Sequence, residues 1–150
     1  MEGEIEDILT GFGRDTEYHF ARGLRAYVGR VARAVGVGFE SCSLDPHVPA
    51  SGYVALEGPG RDLALIWHEV HGWSAVAEPA DGGAPQVLAY LGGTDVVPPP
   101  HAVARFAARM PAVGSSRPPV FRAPGRHEDL VGLLPVTGPE GLLRASSPPW

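Results

Sequence analysis

The densest group of chemically capable side chains is His68-Glu69-Val70-His71, flanked by Trp67 and Trp73. Imidazoles beside a carboxylate can ligate a metal or move a proton. The spacing disfavours the metal. The histidines stand three positions apart, unlike the helical H-E-x-x-H pattern. A zinc site would need a further ligand from His47, Asp62 or His101. No metal and no cofactor are expected. Nucleophilic chemistry has less support. Cys42, the single cysteine, reads as a small buried hydrophobe in a strand-like run. Ser41, Ser43, Ser51 and Ser74 lack a nucleophile-elbow context. Gly58-Pro59-Gly60-Arg61-Asp62 lacks the Lys and the following helix of a phosphate loop and reads as a turn. No catalytic residue is therefore assigned. Trp67, His68, Glu69, His71, Trp73 and His101 remain as candidate binding residues.

These side chains need a scaffold, and residues 61–91 supply its centre. Two apolar runs, Leu63–Trp67 and Trp73–Ala77, flank the polar segment His68–Gly72, and a third, Gln86–Leu91, follows Asp81-Gly82-Gly83. Runs this short, rich in β-branched and aromatic residues and bounded by turn residues, are strands. Gly72 suits the positive φ of a hairpin turn. Leu63, Leu65 and Trp67 fall on one face and Ala64, Ile66 and His68 on the other. Both faces are largely apolar, which predicts a central strand covered on both sides. Earlier, Val37, Phe39 and Leu44 suggest one strand and Tyr53–Leu56 another, separated by the DPHVPAS loop.

Two helices complete the pattern. Phe20, Leu24, Tyr27, Val28, Val31 and Val35 form one stripe at helical period over 16–35, with Asp15 and Thr16 as N-caps and Gly36 as the stop. A second helix over 99–110 starts at the triple proline and carries Val103, Phe106, Ala107 and Met110 on its apolar side. The expectation is an α+β fold: a largely antiparallel sheet of about five strands flanked by an N-terminal helix and a second helix. Residues 1–15 read as a partly ordered acidic arm with Ile5, Ile8 and Leu9, residues 16–111 as one domain, and residues 112–150 as a Pro/Ser-rich tail. Within that tail HEDLVGLLP can form a helical turn or two. Leu130, Leu133 and Leu134 are its candidate interaction residues, lying back on the domain or on a second copy together with Leu142 and Leu143.

Composition narrows the function classes. All 12 basic residues are Arg, and the net charge is −5. An acidic chain without Lys is poorly suited to binding nucleic acid or anionic membrane. There is no signal-peptide pattern and no apolar run long enough to span a bilayer, so a cytoplasmic protein is expected.

The stretches AYVGRVARAVGV, GRDLALIWHEVHGW, VLAYLGG and VVPPP resemble an actinobacterial family of small proteins known as a domain of unknown function, over residues 17–110. The resemblance implies no activity. The helix–five strands–helix order is similar to that of bacterial secretion chaperones, which implies a dimeric protein-binding module. The expected function is a non-enzymatic regulatory or accessory protein-interaction module, a homodimer with a possible protein partner. The alternative is a small-molecule binder or small enzyme with a pocket near the 68–71 turn.

Overall fold

A computed structural model describes residues 2–56, 62–110 and 117–134, with side chains from residue 15 onward. The turn at Gly58–Arg61, the side chains of Ile5, Ile8 and Leu9, and Leu142 and Leu143 lie outside the described residues. The fold is α+β. Helix α1 (Glu2–Val35) leads into five strands, β1 (Cys42–Asp45), β2 (Ser51–Leu56), β3 (Asp62–His68), β4 (Gly72–Glu78) and β5 (Gln86–Tyr90). Helix α2 (Pro100–Ala108) and the short helix α3 (Glu128–Val131) follow. The strands form one antiparallel meander in chain order, so β3 is the middle strand.

The expected β3–β4 hairpin forms, with Trp67 opposite Trp73 and His68 opposite Gly72. Gly72 takes a φ of 68°, and a Cβ there would lie 2.9 Å from the Phe121 ring. The position thus needs glycine twice over, for backbone angle and for space. At the second turn Gly82 donates to the Pro79 carbonyl, and the Asp81 carboxylate accepts from the Gly83 amide.

Leu65, Trp67, Trp73, Ala75, Val54 and Ala89 face one side and are buried. Phe20, Leu24, Tyr27, Val28 and Val31 of α1 pack on them, joined by Val103 and Phe106 of α2. The two indoles are pinned as well as buried. Trp67 Nε1 donates to the Val96 carbonyl at 2.7 Å, and Trp73 Nε1 donates to the Tyr27 hydroxyl at 2.9 Å. Tyr27 in turn donates to the Pro98 carbonyl at 2.6 Å. The GGTDVVPPP stretch, which has no strand partner, is thereby fixed across the core. On the other sheet face Ala64 and Val76 are buried outside this cluster. Tyr53 bridges over β3 there, its hydroxyl donating to Glu78.

Three expectations about elements are corrected. Helix α1 starts at Glu2, not at 16, and runs through Gly11 and Gly13. An interior glycine costs only about 1 kcal/mol, too little to stop a helix of 34 residues. Its end does fall at Gly36, whose φ is 89°. The Val37 amide donates to the Ala32 carbonyl and the Gly36 amide to that of Arg33, a Schellman closure. Second, Phe39–Ser41 is a 3-10 turn, not part of a strand. The Arg25 guanidinium lies 4.7 Å over the Phe39 ring and holds it against α1. Third, residues 117–134 do not trail away: Leu130 and Leu134 belong to the core cluster. This segment is called the strap below.

Candidate functional site

The 68–71 segment is the tight end of the β3–β4 hairpin, and the strap crosses it. Phe121 donates its amide to the Val70 carbonyl at 2.8 Å. His71 Nδ1 donates to the Pro119 carbonyl at 2.8 Å. The His68 ring stacks on that of His71 with centroids 4.7 Å apart, and its Nδ1 accepts from the Val70 amide. Burial, and next the neighbouring His71, hold His68 below the ordinary imidazole range, against the pull of Glu69. His68 and His71 are therefore structural members of the turn.

Glu69 is the centre of the site. It is fully buried, a placement that an ionised carboxylate tolerates only when every acceptor position is served. Oε1 accepts from the Ala50 amide at 2.7 Å and faces His127 Nε2 at 3.1 Å. Oε2 accepts from Arg122 at 2.5 Å and from the Gly125 amide at 3.1 Å. Burial is the largest influence on this carboxyl and pushes it up. The donors from Ala50, His127, Gly125 and Arg122 together outweigh burial and leave it below the ordinary carboxylate range.

The strap supplies most of these partners. Arg122 also donates to the carbonyls of Gly125 and Arg126. It thus braces a turn in which Gly125 and Arg126 have φ of 95° and 48°. That turn delivers His127, 2% exposed, between Glu69 and α1. Its ring stacks on Phe20 at 3.9 Å, and Nδ1 lies 3.1 Å from a Glu17 oxygen. Seven residues on, just past the end of α3, Leu134 lies against α1 at Gly23, where a Cβ would collide with the Leu134 carbonyl.

The candidate residues are therefore divided by the fold. Glu69, His68 and His71 come together at the hairpin end. Trp67 and Trp73 are core side chains on the sheet face behind it. His101 is exposed on the first turn of α2, and none of the described hydrogen bonds joins it to the hairpin. Leu130 and Leu134 lie back on their own domain, buried against α1, while Leu133 is 55% exposed. Among the described residues, no group of three or more His, Cys, Asp or Glu side chains is placed to hold a metal ion. Two grooves, of about 360 and about 460 Å³, lie elsewhere. The first is lined by Asp62 and Glu78 among others, the second by Val35, Val37, Leu56 and Ala107. Arg122, His127, Glu17 and Gly23 were not singled out from sequence. His127 is 58 positions from Glu69 and 110 from Glu17, and no local pattern marks such a pairing.

The model of a family of unknown function, DUF6292, matches residues 27–109. The chain belongs to this family. The DUF6292 match takes in the whole sheet and α2, with Glu69 and His71 inside it. Glu17, Arg122 and His127 lie outside the matched residues. Neither a curated protein nor a solved structure matches the chain. No helix among the described residues is long and apolar enough to cross a membrane.

Proposed function

We propose that the protein is a non-enzymatic interaction module, cytoplasmic and of actinobacterial origin, which works as a homodimer and binds peptide segments where the strap now lies. One observation carries this reading. The sheet-and-helix domain holds residues 117–134 as a receptor holds a peptide, by a buried carboxylate, one backbone hydrogen bond and an apolar seat. Glu69 reads the Arg122 guanidinium and the His127 ring; Val70 fixes the strap backbone; Phe20 and α1 receive His127, Leu130 and Leu134. A charge pair inside a water-poor site discriminates among partners more than it adds affinity. A segment with the same Arg and His spacing, from a second copy or a partner, fits the same contacts.

Exposed apolar side chains stand on the strap and on α1 beside Glu17. Tyr18 on α1 and Val120 and Leu133 on the strap are 59%, 73% and 55% exposed, apolar side chains that a second subunit would cover. The likeness in element order to secretion chaperones points the same way, towards a dimeric binder. The alternative, a small-molecule pocket at the 68–71 turn, has less support, because Glu69, Val70 and His71 already spend their hydrogen bonds on the strap.

The test uses the full chain with Arg122→Ala and His127→Ala, which leaves the seat intact and disables its own strap. A labelled peptide of residues 117–134 should bind it saturably, and adding Glu69→Gln should abolish binding. Sedimentation of the wild-type chain should show a dimer. A peptide that binds neither protein, with a chain that stays monomeric, would refute the reading.

A further inference from the structure

Glu17, Glu69 and Arg122 surround His127 in a way that makes the ring's proton count decisive. Its two nitrogens each face a carboxylate: Nδ1 lies 3.1 and 3.2 Å from the two Glu17 oxygens, and Nε2 lies 3.1 Å from Glu69 Oε1. An ionised carboxylate only accepts. Both contacts are hydrogen bonds only when both nitrogens carry hydrogen, that is, when the ring is an imidazolium. A neutral ring keeps one N–H and turns the other nitrogen's lone pair toward a carboxylate oxygen, in a site where His127 itself is 2% exposed.

The charge balance points the same way. From α1 the ring meets Glu17; from the β3–β4 hairpin it meets Glu69; from the strap itself Arg122 neutralises Glu69, while Arg126, Glu128 and Asp129 form a separate exposed group. With a charged ring the inner set of two carboxylates, one guanidinium and one imidazolium is neutral. With a neutral ring it holds one uncompensated negative charge.

We infer that His127 is a proton-operated catch for the strap: the imidazolium holds residues 117–134 in the seat, and loss of one ring proton releases them and frees the seat for another segment. This deepens the peptide-binding reading and rests on it. The catch works on the alkaline side. As the ring loses its proton the strap loosens, while Glu69, its carboxyl held below the ordinary range, stays ionised throughout.

Glu17 provides the means of testing this without dismantling the core, because its side chain is 54% exposed. In Glu17→Gln the new amide donates from its NH2 to the Nδ1 lone pair of a neutral ring, while Nε2–H still serves Glu69. The substitution should therefore keep the strap docked when the ring is neutral. The experiment is amide hydrogen exchange on the full chain, comparing about pH 5.5 with about pH 8.5. Rates are corrected for intrinsic chemistry. The Phe121 and Leu134 amides report the strap, and sheet amides such as Leu65 are the reference.

In the wild type, strap protection relative to the sheet should fall by about tenfold or more at the higher pH, the size of a hydrogen bond to a charged group. In Glu17→Gln the two values should agree within about twofold. A strap that opens independently of the sheet but equally at both pH values, or a Glu17→Gln protein that keeps the full drop, overturns the catch and leaves the peptide-binding reading standing. A strap that opens only together with the sheet at both pH values overturns that reading as well.

Discussion

Glu69→Gln changes the site's charge with almost no change in shape. The native carboxylate serves four donors, from Ala50, Gly125, Arg122 and His127. The amide offers one oxygen, which can serve only the pair on its own side. Its NH2 then faces the other pair, donor against donor. Arg122 retains the carbonyls of Gly125 and Arg126 but loses its counter-charge, with its side chain only 15% exposed. A hydrogen bond to a charged group contributes about 1.5–3 kcal/mol, and breaking a buried ion pair by removing one charge costs about 3–5 kcal/mol. The two scales overlap, and the expected loss is about 3 kcal/mol, a large share of the about 5–15 kcal/mol that holds a domain folded. Urea unfolding followed by Trp fluorescence measures it, with Glu128→Gln, at an exposed carboxylate, as the control expected within about 0.5 kcal/mol. A Glu69→Gln loss below about 1 kcal/mol would refute the argument that this carboxylate organises the site.

Other expectations follow from the same contacts. Gly23→Ala should raise helix propensity by about 1 kcal/mol, yet its methyl meets the Leu134 carbonyl. The expected outcome is a weakened strap, seen as faster exchange at Leu134, and a net stabilisation of the chain would contradict it. Leu130→Ala should cost about 2–5 kcal/mol by urea unfolding and Leu133→Ala within about 0.5 kcal/mol, because only the first is buried. Acid should weaken the site through Glu69. Its native carboxyl lies below the unfolded one, so its contribution is complete above the ordinary carboxylate range, about pH 4, and is lost as pH falls through the lowered native value. Melting temperatures taken through that range should fall in the wild type and fall less in Glu69→Gln.

The sheet was legible because its signals are local. Strand-length apolar runs with Gly72 and Gly82 between them determine hairpins whatever else the chain does, and the register Trp67–Trp73 follows from the turn. The stripe from Phe20 to Val31 marked the right helix face for the same reason. The start of α1 was misread because Gly11 and Gly13 look like stops, although their cost is small against a long helix. The strap was misread because composition outweighed pattern. Serines and prolines suggested a tail, yet Leu130 and Leu134 stand four apart, one helical turn, and reach the core together. Glu69 was noticed as part of a cluster with His68 and His71. Its actual partners, Arg122 and His127, come from a distant segment, and only three-dimensional placement pairs them.

The central claim is that residues 117–134 are docked, with His127 sandwiched between Phe20 and two carboxylates. Proton NMR of the full chain tests it directly. The stack at 3.9 Å predicts nuclear Overhauser contacts between the His127 and Phe20 rings and His127 ring protons displaced by the aromatic current. Sharp His127 resonances at random-coil positions, without contacts to Phe20, would contradict it.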